Sequence, residues 1–170
     1  VWLACGLALA EVLCHLACSA RPLIFCGNEK FFSVGRDLRE ISAMRGPDAY
    51  EFARMGQALM NAIACFPAPV YAAVEGHCMG GGLDLAIACH HRICSGSAIF
   101  GHRGASLGIL TGWGGTQRLP RLIGKARALQ MFINADKVSA TKALAMGLVD
   151  QISAEPVACA SAYAARCLAR

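Results

Sequence analysis

Three consecutive glycines, Gly80–Gly82, constrain this chain most, because they separate an apolar run at Val70–Val74 from an apolar run of helical length. Each glycine costs about 1 kcal/mol against alanine inside a helix, so three together belong in a turn. Such a turn suits backbone that takes a positive φ or approaches a ligand closely. The helix beyond it begins with N–H groups that lack internal partners and carry partial positive charge. The pattern predicts a place that can hold negative charge, with Asp84 as the first carboxylate beside it.

The same glycine turn also fits a plain connection between a strand and a helix. Glycine-rich turns are common connectors in α/β folds. The helix dipole favours an aspartate such as Asp84 in the first turn whether or not a ligand binds there. The spacing of these residues leaves both interpretations open.

The composition predicts a single domain with a substantial core. The chain has 170 residues, of which 56% are hydrophobic and only 16% are charged, against about 25% charged in an average soluble domain. We therefore expect partner subunits, or parts of a longer chain, to cover some apolar surface. The formal net charge of +5 is scattered along the sequence. It suits an anionic small molecule, whereas nucleic-acid binding is not expected because no dense basic run occurs.

The ten cysteines indicate free thiols rather than a metal centre. No two of them form a Cys-x-x-Cys pair, which argues against a zinc ribbon or a thioredoxin-like site. Most lie inside apolar runs, so we expect core-facing thiols in a reducing compartment, the cytoplasm or alternatively an organelle matrix. Cys14, His15 and Cys18 could act as metal ligands on one helix, but no second ligand cluster accompanies them.

Residues 1–20 are nearly all apolar, a length that also fits a membrane span or a signal peptide. Glu11 and His15 interrupt the run, no basic segment precedes it, and Arg21 and Pro22 lead directly into another apolar run. We expect residues 1–20 to form a helix packed on the core, with no membrane association. The lack of an initiating methionine leads us to expect a truncated chain.

Strand-like and helix-like segments alternate along the whole sequence. Short apolar runs predict strands at residues 22–26, 70–74, 92–95, 98–100 and 148–152. Helices are predicted at residues 1–20, from about 37, at 46–65, from the glycine turn to about 90, from about 116, at 125–134, at 139–147 and towards the C-terminus. The alternation indicates one α/β domain over residues 1–170.

Five blocks of sequence, in this order and at these separations, carry a resemblance to a known family. They are residues 30–38 (KFFSVGRDL), 69–82 (PVYAAVEGHCMGGG), 100–101 with 107–108 (FG and LG), 114–124 (GGTQRLPRLIG) and 139–150 (SATKALAMGLVD). Together they resemble the crotonase family, also called enoyl-CoA hydratase/isomerase. The resemblance implies an α/β crotonase-like fold, related to that of Clp peptidases and built as a superhelix of ββα units. The fold would be partial here, without the family's N-terminal strands and most of its C-terminal helices.

The resemblance also implies an activity and its partners. The expected substrate is an acyl-CoA thioester, and the expected reaction is hydration or double-bond shift of a 2- or 3-enoyl-CoA. No separate cofactor is implied, because coenzyme A is part of the substrate. Family members usually assemble as trimers or hexamers, so the same is expected of the full-length protein.

Two backbone N–H groups bind the thioester oxygen in the family as it becomes an enolate, and by position these belong to Arg36 and Gly81. Preorganised donors aimed at developing charge form an oxyanion hole, in agreement with the glycine turn. The implied substrate-binding residues are Arg36, Asp37, Leu38, Arg39, Gly80 and Gly81. Arg36 and Arg39 would pair with phosphates of coenzyme A, although a solvated helix face explains either side chain equally well.

Hydratases of the family use two glutamates as acid and base, and their positions here carry Asp84 and Gly104. Gly104 has no side chain, so the resemblance implies one carboxylate where a hydratase needs two. Asp84 could act alone if burial raised its pKa towards the working pH. His102 could supply a base, although a surface or strand-end histidine is the commoner case. Gly112 lies where several relatives keep an additional acid and supplies none.

Four alternatives stand beside the hydratase/isomerase interpretation. One is a one-acid relative that decarboxylates or cleaves thioesters, and another is a catalytically impaired protein that only binds CoA or serves as a subunit. His90, where relatives usually place an aspartate, fits either. A Clp-type serine peptidase is not expected, because Ser33 and Ser106 lack a nucleophile's setting. A dinucleotide site is not expected either, because no Gly-x-Gly-x-x-Gly opens a helix after the first strand.

Overall fold

The computed structural model describes the backbone of residues 2–35 and 37–168 and the side chains of residues 8–35 and 37–168. The strands are β1 (Leu23–Cys26), β2 (Phe31–Ser33), β3 (Val70–Val74), β4 (His77–Met79), β5 (His91–Cys94), β6 (Ile99–Gly101), β7 (Val138–Ser139) and β8 (Gln151–Ile152). The helices are α1 (Trp2–Ala17), α2 (Leu38–Ala43), α3 (Gly46–Ala64), α4 (Gly81–Ala88), α5 (Gly115–Ile123), α6 (Lys125–Asn134), α7 (Ala140–Met146) and α8 (Pro156–Leu168), with a short 3₁₀ helix at Gly104–Leu107.

The strands form two four-stranded sheets that share one pattern of connection. The first sheet has the order β1-β3-β5-β8, and all of its neighbouring strands are parallel. The second has the order β2-β4-β6-β7, and within it β7 runs antiparallel to β6. The successive strand pairs β1–β2, β3–β4 and β5–β6 each give one strand to each sheet before the chain turns into helix. This confirms the predicted superhelix of ββα units.

β3 is buried along its whole length. β1 and β5 pair with it on either side, and both of its faces are covered, which explains a continuous apolar run in place of alternating polar residues. Val70 and Val74 join the main core, whereas Tyr71 and Ala73 point to the other face and pack with Ala160 of α8. The structure therefore confirms the buried strand at residues 70–74. β1 is only half-buried, because it lies at the edge of its sheet.

Three strands were not predicted, namely β2, β4 and β7, and one was predicted too long. β4 lies between β3 and the glycine turn, so the apolar run at residues 70–74 does not lead directly into the glycines. β4 and β7 have three and two residues, and they are defined by pairing with strands distant in sequence. The strand expected at 148–152 is confined to β8, while Leu148 and Val149 are core residues in the preceding turn.

The predicted helices are all present. Asp37 caps the start of α2, and its side chain accepts a hydrogen bond from the Arg39 N–H. Ser139 and Gly147 cap the two ends of α7, as its sequence indicates. α1 packs against α3 and the core through the buried Leu13, with Leu9 and Ala17 beside it. No helix among the described residues is long and apolar enough to cross a membrane.

The expectation of core-facing cysteines is wrong for most of them. Among the nine cysteines whose side chains are described, Cys78, Cys89 and Cys94 are buried, whereas five are exposed: Cys14, Cys18, Cys26, Cys65 and Cys167. An apolar run buries only one face when it forms a surface helix or an edge strand, so membership of such a run does not decide burial. Burial raises the pKa of Cys89 to about 12. The described side chains contain no group of three or more potential metal ligands.

Candidate active site

A cleft of about 620 Å³ opens between the glycine turn before α4 and the segment that joins β6 to α5. Its walls are mostly apolar, and they include Val34, Leu38, Ile41, Leu107, Ile109, Leu110 and Phe132. Polar groups are concentrated at one place, where Asp84, His102 and Thr111 lie together. A largely apolar cleft with a few convergent polar groups is the usual form of a small-molecule site.

The glycine turn lines this cleft with Gly80 and Gly81. Gly80 caps α4 with a φ of 54°, a conformation that favours glycine, and its N–H donates to the carbonyl of Gly101 at 2.9 Å. Gly81 is the first residue of α4, so its N–H has no partner within the helix. An ideal Cβ on Gly35 would lie 3.1 Å from the nitrogen of Gly81, which brings the loop after β2 against this helix end. Arg36, the second predicted donor, lies outside the described residues.

Asp84 is the carboxylate of the site. It lies in the first turn of α4, lines the cleft and is only 1% exposed. The hydroxyl of Thr111 donates a short hydrogen bond to Oδ2 of Asp84. Oδ1 of the same carboxylate lies 3.4 Å from Nε2 of His102. The structure thus brings the predicted Asp84 together with His102, a candidate base in the sequence, and with Thr111, which the sequence did not indicate.

His102 is buried, in contrast to the surface or strand-end position considered commoner for it. It follows β6, is 4% exposed, and its ring packs against that of Phe132 with centroids 5.2 Å apart. Burial lowers the pKa of His102 to about 4, because the charged imidazolium is poorly solvated there. At neutral pH the side chain is therefore an uncharged imidazole with one N–H.

Gly104 lines the cleft where the resemblance places a second acid. It begins the 3₁₀ helix, and its carbonyl accepts a hydrogen bond from the N–H of Ile109 at 3.0 Å. An ideal Cβ on Gly104 would lie 2.4 Å from the carbonyl oxygen of Ile109. The main chain of Ile109 occupies the space beside Gly104, so a residue with a side chain at position 104 requires a different main-chain path.

The segment predicted to bind coenzyme A is described from Asp37 onwards. Leu38 lines the cleft. The guanidinium of Arg39 pairs with the Asp37 carboxylate at 3.2 Å and lies on the surface, with 92% of its side chain exposed. Hydrogen bonds from Arg39 hold the pKa of Asp37 below its usual value. The basic side chains that do line the cleft are Arg103 and Lys137.

Comparison with known proteins identifies the family. The sequence profile of the enoyl-CoA hydratase/isomerase family matches residues 8–168. The chain belongs to this family. A protein of Bacillus subtilis named probable enoyl-CoA hydratase is 41% identical over 157 residues, which cover 90% of this chain and 61% of that protein.

Solved structures of relatives share the fold over nearly the whole chain. DspI of Pseudomonas aeruginosa superposes with a TM-score of 0.92 at 33% identity, covering 97% of this chain and 70% of DspI. Enoyl-CoA hydratase of Bacillus anthracis superposes with a TM-score of 0.86 at 35% identity, covering 97% of this chain and 64% of that one. The crotonase fold is therefore established, and the chain spans less than two thirds of the Bacillus subtilis relative's length.

Within this enoyl-CoA hydratase/isomerase family fold, three residues at the cleft or beside Asp84 were not predicted from the sequence. Thr111 contacts Asp84 across a sequence separation of 27 residues, Gly115 lies against the same carboxylate, and Lys137 lines the cleft from the segment before β7. A threonine or glycine in a loop carries no local pattern that marks such a contact. Thr111 and Gly115 reach the Asp84 carboxylate only because the fold packs the start of α4 against the loop after β6 and against the start of α5.

Proposed function

We propose that the protein binds an acyl-CoA thioester, stabilises its enolate and moves the double bond of an enoyl-CoA. One observation carries the proposal: the buried Asp84 lies in an apolar cleft one turn beyond the Gly81 N–H at the start of α4. A base and an oxyanion donor are the two groups that enolate formation needs. Coenzyme A is part of the substrate, so the proposal includes no separate cofactor.

The proposed reaction begins with Asp84 as base. The bond between C2 and its proton breaks, a bond between the proton and a carboxylate oxygen forms, and the electron pair moves towards the thioester oxygen. The Gly81 N–H, together with that of Arg36, would donate to this oxygen as it gains charge. Loss of one such donor reduces transition-state stabilisation by about 3–4 kcal/mol in comparable sites.

Isomerisation is the reaction that a single carboxylate favours. After Asp84 has taken the proton from C2 of a 3-enoyl-CoA, it can return the proton to C4, which yields the conjugated 2-enoyl-CoA and regenerates the carboxylate. Hydration needs a second acid or base to handle the added water, and Gly104 provides no side chain for it. Hydration of 2-enoyl-CoA is the second candidate, supported by the names of the relatives.

The test is an assay of the purified protein with a 3-enoyl-CoA and with crotonyl-CoA. Isomerisation is followed as a gain of conjugated thioester absorbance, hydration as its loss, and binding of a saturated acyl-CoA by calorimetry. We expect gain with the first substrate and slow or absent loss with the second. Binding without either reaction would favour a CoA-binding relative without catalysis, and absence of binding would reject the proposal.

We further propose that the full-length protein is a trimer or a hexamer of such subunits. Large apolar side chains are exposed on α6 and beside the cleft, including Leu110 at 63%, Leu129 at 58% and Ile133 at 64%. Burial of such side chains between copies is favourable in water. Sedimentation-velocity ultracentrifugation of the full-length protein measures the mass directly, and a monomer at all concentrations would reject this assembly.

A further inference from the structure

We propose that Thr111 and His102 are positioning residues that hold the Asp84 carboxylate ionised and oriented for proton transfer. The inference deepens the proposed function and rests on it for the reaction that Asp84 performs. The contacts of Thr111 and His102 with Asp84 lie within the protein and do not involve substrate. They can therefore be tested with and without substrate.

Each oxygen of the carboxylate has its own neighbour. Thr111 donates its hydroxyl proton to Oδ2, while Nε2 of His102 lies 3.4 Å from Oδ1. Thr111 comes from the segment between the 3₁₀ helix and α5, and His102 from the end of β6. Because the two contacts come from different segments, they fix the plane of the carboxyl group as well as its position.

Burial makes such contacts necessary for a base. Asp84 is 1% exposed, and an ionised carboxylate without partners is strongly disfavoured away from water. A protonated Asp84 could not remove a proton from C2. The hydrogen bond from Thr111 to the ionised form counteracts this effect, and a proton on Nε2 of the adjacent His102 would act in the same direction.

His102 can fill its role only as a donor. The ring is uncharged at neutral pH, so one nitrogen carries a proton, and the inference places that proton on Nε2, facing Oδ1 of Asp84. Phe132 packs against the ring and limits its rotation. The other titratable groups lining the cleft are His77, Arg103 and Lys137, and the variants below leave them unchanged.

Isotope-edited infrared spectroscopy of Asp84 tests the inference without turnover. Thr111→Val keeps the shape of the side chain but removes the donor, and Thr111→Ser keeps the donor. At neutral pH we expect an ionised Asp84 in the wild type and in Thr111→Ser. In Thr111→Val we expect the midpoint of the carboxyl titration, followed by the protonated and ionised carboxyl bands across a pH series, to rise by roughly one pH unit. An identical midpoint in the wild type and Thr111→Val would overturn the role of Thr111.

Long-range ¹H–¹⁵N NMR at neutral pH tests His102. We expect the proton on Nε2 in the wild type and in His91→Gln, a matched change at an exposed histidine on the other sheet. A proton on Nδ1 would overturn the role of His102, because the nitrogen facing Asp84 could not then donate.

Kinetics of 3-enoyl-CoA isomerisation completes the test. We expect Thr111→Val to lower kcat roughly tenfold to hundredfold, with KM changed less than about twofold, and to move the acid limb of the pH profile upwards. Thr111→Ser should recover most of the rate. An active wild type with an unchanged profile in Thr111→Val would reject the positioning role. A wild type without any turnover, but with the infrared shift present, would instead reject the proposed function and retain the carboxylate contacts.

Discussion

An ideal Cβ on Gly115 would lie 2.2 Å from Oδ1 of Asp84 and 3.2 Å from Nε2 of His102. Gly115 is the first residue of α5, whereas Asp84 lies in the first turn of α4, so the starts of the two helices meet at the carboxylate. A distance of 2.2 Å is far inside van der Waals contact. A side chain at Gly115 would therefore collide with the carboxylate that the proposed chemistry depends on, so either Asp84 or the start of α5 must move.

Gly115→Ala is expected to reduce activity by moving Asp84. We expect kcat for isomerisation to fall at least about tenfold, because a reacting group displaced by about 1 Å loses its alignment with the substrate. Steady-state kinetics measures the effect. Gly96→Ala is the matched control, since a Cβ on Gly96 would meet nothing within 4 Å. Equal kcat values for Gly115→Ala and Gly96→Ala would show that Asp84 is not held as described.

Asp84→Asn is expected to abolish turnover and leave binding of a saturated acyl-CoA nearly intact. The amide has almost the same size as the carboxylate but cannot accept a proton from carbon. Calorimetric titration and the absorbance assay give the two quantities separately. Glu51→Gln, the same change at an exposed position of α3, serves as control. Full activity in Asp84→Asn would remove Asp84 from the mechanism.

The burial of His102 predicts that acid destabilises the protein. The folded-state pKa of about 4 lies below the ordinary value of 6.5, so the unfolded chain binds more protons between these values. The free energy of unfolding is therefore highest above about pH 6.5 and falls as the pH approaches 4, by roughly 3 kcal/mol from this histidine.

Urea unfolding of the wild type and of His102→Gln between pH 7.5 and about 5 measures this contribution. We expect a smaller loss of stability in His102→Gln, because glutamine does not titrate. His91→Gln, at an exposed position, should follow the wild type. Parallel curves for His102→Gln and the wild type would contradict a depressed pKa.

Loss of the imidazole of His90 is expected to reduce the free energy of unfolding. Its Nδ1 accepts a hydrogen bond from the N–H of Val70 at 2.9 Å, and its own N–H donates to the Val70 carbonyl at 2.9 Å. Val70 is fully buried, so its N–H has no access to water. We expect His90→Leu to lower the free energy of unfolding by about 1–2 kcal/mol.

His90→Asp supplies a new acceptor at the same position and should lose less stability than His90→Leu. Urea unfolding compares both variants, with His15→Leu on the exposed face of α1 as a control for the loss of an imidazole. Equal stability of His90→Leu and the wild type would show that the contact to Val70 contributes nothing. The acceptor also explains how a histidine can occupy a position where the family resemblance implies an aspartate.

Gly104→Glu is expected not to install hydration. The new Cβ would lie 2.4 Å from the Ile109 carbonyl, so the loop must rearrange before the carboxylate can face the cleft. We expect no rise in the hydration of crotonyl-CoA and a lower midpoint of urea unfolding. A Gly104→Glu variant with a strong gain in hydration would show that the loop adapts without penalty.

The sequence was sufficient for the parts of the fold whose pattern is local. β3 and α3 were predicted nearly residue for residue, because a continuous apolar run and a proline-led helix start are visible in adjacent residues. β2, β4 and β7 were missed, because strands of two or three residues exist only through pairing with other strands. The cysteines were misjudged because burial depends on which face of an element meets the core.

In the candidate site, too, residues with a local sequence pattern could be predicted, whereas residues defined by contacts with distant parts of the chain could not. Gly81 and Asp84 could be selected because the glycine turn and the helix start adjoin each other in sequence. Thr111 could not, since its role depends on a hydrogen bond to a residue 27 positions earlier. The environment of His102 was equally out of reach, because Phe132 and Asp84 come to it from two different helices.

The close approach of Gly104 to Ile109 also bears on how this lineage can change. A single substitution at position 104 cannot add a carboxylate without moving the main chain, because the new Cβ would lie 2.4 Å from the carbonyl oxygen of Ile109. Mutations that open the loop would have to come first, and by themselves they bring no second acid for selection to favour. The path of the backbone therefore makes the gain of a second acid depend on several substitutions, and the first of these would bring no advantage to the proposed one-carboxylate chemistry.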